Sequence, residues 1–299
     1  VNLQLAVMQL LNGLGSGMII FLVAIGLSII FGTLKVLNLA HAAIYMLGAY
    51  LCFWLSQIVL AHFPGNFWLV IFLAPLGTAL IGALVEIFII RRIYGQDLMY
   101  QFILTFGLSL VIADLVKLCW GMEVHYVPIP WPFQGSVPVL GAYLLKYQLF
   151  LYMAGTSVFA GLLLLMNYTK LGMLIRAVTY HRDMANALGI NVPKVYTGVF
   201  MLGSCLAGFG GVAAAPVTSI TLGMDHIVLV QCFIVVVIGG MGSITGAFLG
   251  SIILGLLNSF GILYLPQLAL VFGFVLMAII LIARPYGLMG EPMEAEEKL

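Results

Sequence analysis

Residues 239–250 read GGMGSITGAFLG, between the apolar runs VLVQCFIVVVI (228–238) and SIILGLLNSFGILYL (251–265). Five glycines in twelve residues interrupt what otherwise reads as membrane helix. Each glycine inside a helix costs about 1 kcal/mol relative to alanine. The cluster therefore implies a broken helix, a very close helix–helix approach, or both. Unsatisfied backbone groups are tolerated at membrane depth only where they face protein or a water-filled path.

The rest of the chain has the composition that such a reading needs. Of 299 residues, 64% are hydrophobic and 7% charged, and the mean hydropathy is +1.20. A soluble domain carries about 25% charged residues, so this chain lacks the polar side chains to cover a surface in water. It reads as an integral membrane protein. Apolar stretches recur along its length and predict an all-α, polytopic bundle of eight or nine spans, some interrupted. The expected spans are 4–32, 40–61, 66–91, 99–120, 147–167, 195–216, 227–240, 244–263 and 267–283. The seventh is too short to cross a ~30 Å core alone, and either crosses jointly with the glycine segment or goes partway. The first run reads as a membrane helix rather than a removable signal peptide. Residues 1–290 form one transmembrane domain, and EPMEAEEKL (291–299) a short acidic cytoplasmic tail.

Charge distribution sets the orientation. Arg91 and Arg92 mark one side, Lys170, Arg176, Arg182 and Lys194 the same side two crossings later, and Arg284 returns to it. Basic loops stay inside, which puts Lys35 and the C-terminus inside and the N-terminus outside. The segment 121–146, rich in Pro, Trp and Tyr, reads as an outer loop against headgroups. A net charge of +1 gives no reason to expect a nucleic-acid partner. The four cysteines, 52, 119, 205 and 232, stand singly in apolar runs and read as small buried hydrophobes.

Within the inner segment 168–195, RDMANALGI reads as a short helix. Asp183 is its N-cap or first-turn acid, and Gly189 is its stop. Such a helix needs tertiary support. It is either a connector packed on its own chain or a peg for a soluble partner.

Few ionisable groups lie at depth. Glu86 is expected to pair with Arg91 or Arg92, and Asp114 with Lys117 one turn on. Asn38 and His41 open the second span inside KVLNLAHAAIYMLGAY (35–50), a second interruption of hydrophobicity. Paired interruptions near the start and end are a sequence pointer to a transport path. At the glycine cluster, Gly239, Gly240 and Gly242 are expected to break the helix, with the Ser243 and Thr245 hydroxyls serving freed backbone groups. Gly255, alone in the next helix, is expected to matter only for local packing. The chain has no acid–histidine relay, no G-x-x-x-x-G-K-[ST] phosphate loop, no Ser/His/Asp set and no metal-ligand spacing. An enzyme is not indicated. A self-sufficient carrier or channel stays as the alternative to a pump subunit.

The ordered motifs resemble one family. They are GLGSGMIIFLVAIGLSIIFGTLKVLNLAHAAIYMLGAY (13–50), FILTFGLSLVIADLVKLCWG (102–121), LIRAVTYHRDMANALGINVPKV (174–195), GSCLAGFGGVAAAP (203–216), VVVIGGMGSITGAFLGSIILG (235–255) and ARPYGLMG (283–290). In their order and spacing the chain resembles the first of the two paired permeases of bacterial branched-chain (hydrophobic) amino-acid ABC importers. The resemblance implies a type II ABC importer permease in the bacterial inner membrane. Its partners would be a second related permease, two ATP-binding subunits and a periplasmic substrate-binding protein. No cofactor is expected on this chain, Mg-ATP being held by the ATPase subunits. The resemblance also places Asn38, His41, Tyr45 and Thr105, with Gly239, Gly240, Gly242, Ser243 and Thr245, in the translocation path. It puts Arg176, Arg182, Asp183, Ala187, Leu188, Gly189 and Ile190 at the ATPase contact. Leu39, Ala42 and Ala43 stand where the family commonly has Phe, Gly and an acid, so urea, short amides and carboxylates stay open as cargo.

Overall fold

The computed structural model describes residues 3–62, 67–139 and 141–290; the tail 291–299 lies outside them. Its helices are α1 (Leu3–Leu34), α2 (His41–His62), α3 (Phe67–Phe88), α4 (Leu98–Trp120), α5 (Lys146–Tyr168), α6 (Lys170–Tyr180), α7 (Arg182–Ala187), α8 (Val192–Ala214), α9 (Met224–Gly239), α10 (Ile244–Tyr264) and α11 (Ala269–Ala283). A 3-10 turn at Ile90–Ile93 follows α3. A small antiparallel hairpin, β1 (Ser136–Val139) and β2 (Ala142–Leu145), precedes α5, with Ser136 opposite Leu145 and Val139 opposite Ala142. Seven of the helices are long and apolar enough to cross a membrane. At 1.5 Å per residue, the 16 residues of α9 reach only about 24 Å.

In a membrane, helices are held together by close packing rather than by the hydrophobic effect. The contacts of α1, α8 and α10 follow that logic. A Cβ on Gly17 of α1 would stand 2.9 Å from the Ser251 carbonyl of α10. From Ile20 to Ile30, α1 is buried on every face. α3 packs along α8, where the Thr78 hydroxyl donates to the Ser204 carbonyl at 3.1 Å. Gly255 also sits against the backbone of Gly13 and Gly17. The packing it serves is that of the α1–α10 crossing.

The bundle has two distinct ends. At one, the last turns of α1, α3 and α9 meet the first turns of α4, α8 and α10 with α6 and α7, and most of the basic residues gather there. At the other lie the β-hairpin and the segment before it. There His125 pairs by backbone with Ile220 at 3.0 Å in each direction, and the Tyr147 hydroxyl donates to the Ala213 carbonyl. Trp131 and Tyr143 are exposed on this end. Cys52 and Cys232 are buried, whereas Cys119 is exposed on α4, against the expectation that all four are buried.

α9 and α10 do not cross jointly. Gly246 rests on the Gly239 carbonyl, and a Cβ on Gly250 would meet the Val235 carbonyl at 3.1 Å. The two helices are thus antiparallel neighbours, and the glycine cluster is the corner between them.

Candidate functional site

The first interruption is buried. Lys35 takes a left-handed φ of 56°, ends α1 and turns the chain back into the bundle. Val36, Asn38, Ala40 and His41 are all at most 2% exposed. The Asn38 side-chain oxygen accepts the Ala40 amide at 3.1 Å, and the Asn38 carbonyl accepts the His41 amide at 3.2 Å. This Asx turn starts α2. The His41 Nε2 lies 3.0 Å from the Val23 carbonyl and therefore donates to it. Val23 stands some 16 Å up α1 from its last residue at 1.5 Å per residue, so α2 begins deep within the bundle. With Nε2 protonated, His41 Nδ1 is an acceptor. Neither it, nor the Asn38 amide nitrogen, nor Gln101 Oε1 has a protein partner. A buried polar atom left unpaired costs about 1–3 kcal/mol. Three of them lie on or beside this one break.

The predicted path residues meet here in part. The Thr105 hydroxyl lies 3.3 Å from the Leu37 carbonyl and donates at 2.7 Å to the Gln101 backbone carbonyl. Tyr45 is buried, its carbonyl against Gly211 of α8. An apolar hollow of about 100 Å³ opens beside the break, lined by Leu27 and Phe31 of α1, Leu37, and Phe233, Val237 and Met241. Sequence reasoning missed this hollow, since it depends on how α1 and α9 face each other. Met241 belongs to the glycine corner, so both interruptions border the same space.

At the corner itself, Gly240 and Gly242 have φ of 96° and 86°, open to glycine and strained for other residues. Ser243 caps α10, accepting the Gly246 amide at 3.0 Å. Thr245 faces only the Ser243 hydroxyl, at 3.3 Å, and serves no backbone group. The carbonyls at the end of α9 are met instead by the chain's own C-terminal segment: the Leu288 amide donates to Ile238 at 2.8 Å and the Met289 amide to Gly239 at 3.0 Å. Gly239 and Gly240 are buried, but Met241, Gly242 and Thr245 are exposed. The corner is half open rather than enclosed within this chain.

At the basic end, α7 projects. Ala185 is its buried residue, while Met184 is 60% and Leu188 76% exposed. Ala187 is exposed too, and Ile190 half-buried. Asp183 lies in the first turn, with His181 at the N-cap, and Gly189 ends the helix with φ of 84°. The Arg182 guanidinium lies over the Tyr196 ring, 5.7 Å from its centroid. Arg176 turns to the Met166 carbonyl at the end of α5.

Glu86 and Arg91 form the only ion pair among the described residues, at 2.9 Å. Asp114 and Lys117 are both exposed on α4 and do not form the expected pair. Residues three apart on a helix are neighbours, but these side chains point off the outward face without meeting. Glu86 is fully buried and also accepts from the Tyr94 and Thr197 hydroxyls, each at 2.8 Å. Burial and the Glu86 charge hold the Tyr94 phenol well above its usual range, so it remains a donor.

No solved structure matches the chain. A family model described as branched-chain amino acid transport system / permease component matches residues 9–283. The high-affinity branched-chain amino acid transport system permease protein BraD of Pseudomonas aeruginosa is 28% identical, over 95% of each chain. LivH of Escherichia coli K12, of the same description, is 27% identical, again over 95% of each. A probable branched-chain amino acid transport permease of Methanocaldococcus jannaschii is 32% identical over 44% of each chain. With α1 from its second turn through the end of α11 inside the matched range, the chain belongs to the family of branched-chain amino acid transport permease components.

Proposed function

We propose that this chain is the permease subunit of an ATP-driven importer and forms half of the path by which branched-chain amino acids cross the inner membrane. The observation that carries this reading is the buried break at 35–41, which holds unpaired Asn38 and His41 atoms and whose Leu37 lines an apolar hollow shared with α1, α9 and the glycine corner. A zwitterion with an aliphatic side chain needs polar atoms for its charged end and a dry apolar wall for the other. An apolar hollow stays dry and takes apolar ligands. The departures at Leu39, Ala42 and Ala43 leave urea, short amides and carboxylates as the competing cargo.

The partners are a second related permease, two ATP-binding subunits that hold Mg-ATP, and a substrate-binding protein. The basic end faces the cytoplasm, and the N-terminus and the β-hairpin end lie outside. α7 is the contact with an ATP-binding subunit: Met184 on this six-residue helix and Leu188 at its C-cap are large exposed apolar side chains with basic residues on either side. The test is co-purification. Leu188→Asp and Met184→Asp, each placing a charge where desolvation would cost several kcal/mol, abolish capture of the ATP-binding subunits while membrane abundance is unchanged. Retained capture and normal leucine uptake in both variants would sink the docking assignment.

A further inference from the structure

Glu86 has more partners than a membrane carboxylate needs for neutralisation. Arg91 alone supplies two donors, Nε to Oε1 at 3.1 Å and Nη2 to Oε2 at 2.9 Å. Tyr94 adds a third, the single Thr197 hydroxyl proton is shared between Glu86 Oε2 at 2.8 Å and the Pro193 carbonyl at 2.9 Å as a fourth, and Arg91 Nη2 also donates to the Thr197 hydroxyl at 2.7 Å. The four donors come from the 3-10 turn, the residue that ends it, and the first turns of α8, while the carboxylate belongs to α3. Each carboxylate oxygen has two donor groups within reach, so the cluster ties α3 to the turn after it and to α8 rather than merely neutralising a charge.

The cluster leads outward to α7. The Tyr94 ring meets the Tyr196 ring edge-to-face, with centroids 5.1 Å apart and planes at 77°. The same Tyr196 ring carries the Arg182 guanidinium over it, and Arg182 is the first residue of α7. The cluster also leads inward: α3 lies along α8, with Gly82 against Ser204 and Thr78 bonded to the Ser204 carbonyl. One unbroken set of contacts thus runs Arg182, Tyr196, Tyr94, Glu86 and into the α3–α8 pair.

We propose that Glu86 is the joint that passes displacement of α7 into α3 and α8, a positioning residue for transport acting through Tyr94 and Tyr196. This rests on the reading of α7 as the ATPase contact. A loose joint would let α7 move while α3 stays still; a carboxylate gripped by four donors obliges them to move together. Contiguous contacts alone do not establish such coupling, and a response of α3 to nucleotide does.

The experiment uses the full importer with its ATP-binding subunits in lipid discs, followed by backbone hydrogen exchange with and without ATP and vanadate. In the native assembly, nucleotide alters exchange in both α7 and α3. In Tyr94→Phe and Glu86→Gln the α7 response persists, the α3 response disappears, and leucine carried per ATP hydrolysed falls about tenfold, within the usual range of coupling between sites. Tyr94→Phe keeps the ring contact and removes one donor, so it answers the question even if Glu86→Gln fails to fold. An α3 response of native size in Tyr94→Phe, or none in the native assembly, overturns the joint. An α7 that ignores nucleotide in the native assembly defeats the docking assignment instead, and the joint with it.

Discussion

Gly240 bears a φ of 96° while a Cβ there would stand 2.6 Å from the Gly290 Cα and 2.9 Å from the Tyr286 carbonyl. Conformation and space both exclude a side chain. Gly161 on α5, by contrast, is helical and has nothing within 4 Å of a built Cβ. Gly240→Ala should lower stability by at least the ~1–3 kcal/mol of a strained residue, seen as a drop of several degrees in apparent Tm in detergent. Gly161→Ala should leave it unchanged or raise it by up to ~1 kcal/mol. Equal melting of the two variants would mean that the corner tolerates repacking. Asn38→Leu is the matching test of the break: it removes both the Asx turn and the unpaired amide nitrogen. Leucine uptake at equal abundance should fall about tenfold or more, given ~1 kcal/mol for the lost turn bond and a similar loss at the path. The glycines were legible in the sequence because glycine is rare enough in a helix to need a reason. The identity of the groups that satisfy the α9 carbonyls was not, since Leu288 and Met289 lie fifty residues away in sequence and act through backbone.

α4 carries its charges on the side facing away from the chain. Gln101, Thr105, Leu108, Ile112 and Val116 face inward, and Asp114 and Lys117 are exposed on the rest of the surface. Since they do not pair here, a double-mutant cycle on Asp114→Asn and Lys117→Gln in the isolated chain should give a coupling energy below ~0.5 kcal/mol, the level of an exposed pair. A coupling above ~1 kcal/mol would restore the pair. The same helix explains what sequence periodicity can and cannot supply. Apolar length fixed the long helices to within about three residues, because a helix that crosses lipid must be continuous and about 20 residues long. It missed the β1–β2 hairpin and α6, which lie outside that constraint. For α9 it gave the length but not the direction, which only the Gly239–Gly246 contact reveals.

For the molecule as a whole, the two ends differ in charge, and the basic end is the one that carries α7. Thiol labelling of cells tests the orientation: in a Cys119→Ser background, Glu123→Cys should react with a membrane-impermeant maleimide added outside. Asn186→Cys should react only after the membrane is opened. The reverse pattern would invert the bundle. The sequence reading reached the basic segments, the breaks and the short helix α7 one by one. It could not reach the space enclosed between them, because Leu27, Phe233 and Met241 share a hollow only once α1 and α9 are packed. The central claim is that the break at 35–41 and the glycine corner border a path driven by partner ATPases. Proteoliposomes holding this chain with its partner permease and ATP-binding subunits, supplied with the binding protein and labelled leucine, test it most directly. Leucine should accumulate only when ATP is hydrolysed on the binding-protein-distal side, and accumulation should vanish with hydrolysis-dead ATP-binding subunits. Leucine uptake that persists without ATP, or that follows an imposed ion gradient, would contradict the claim.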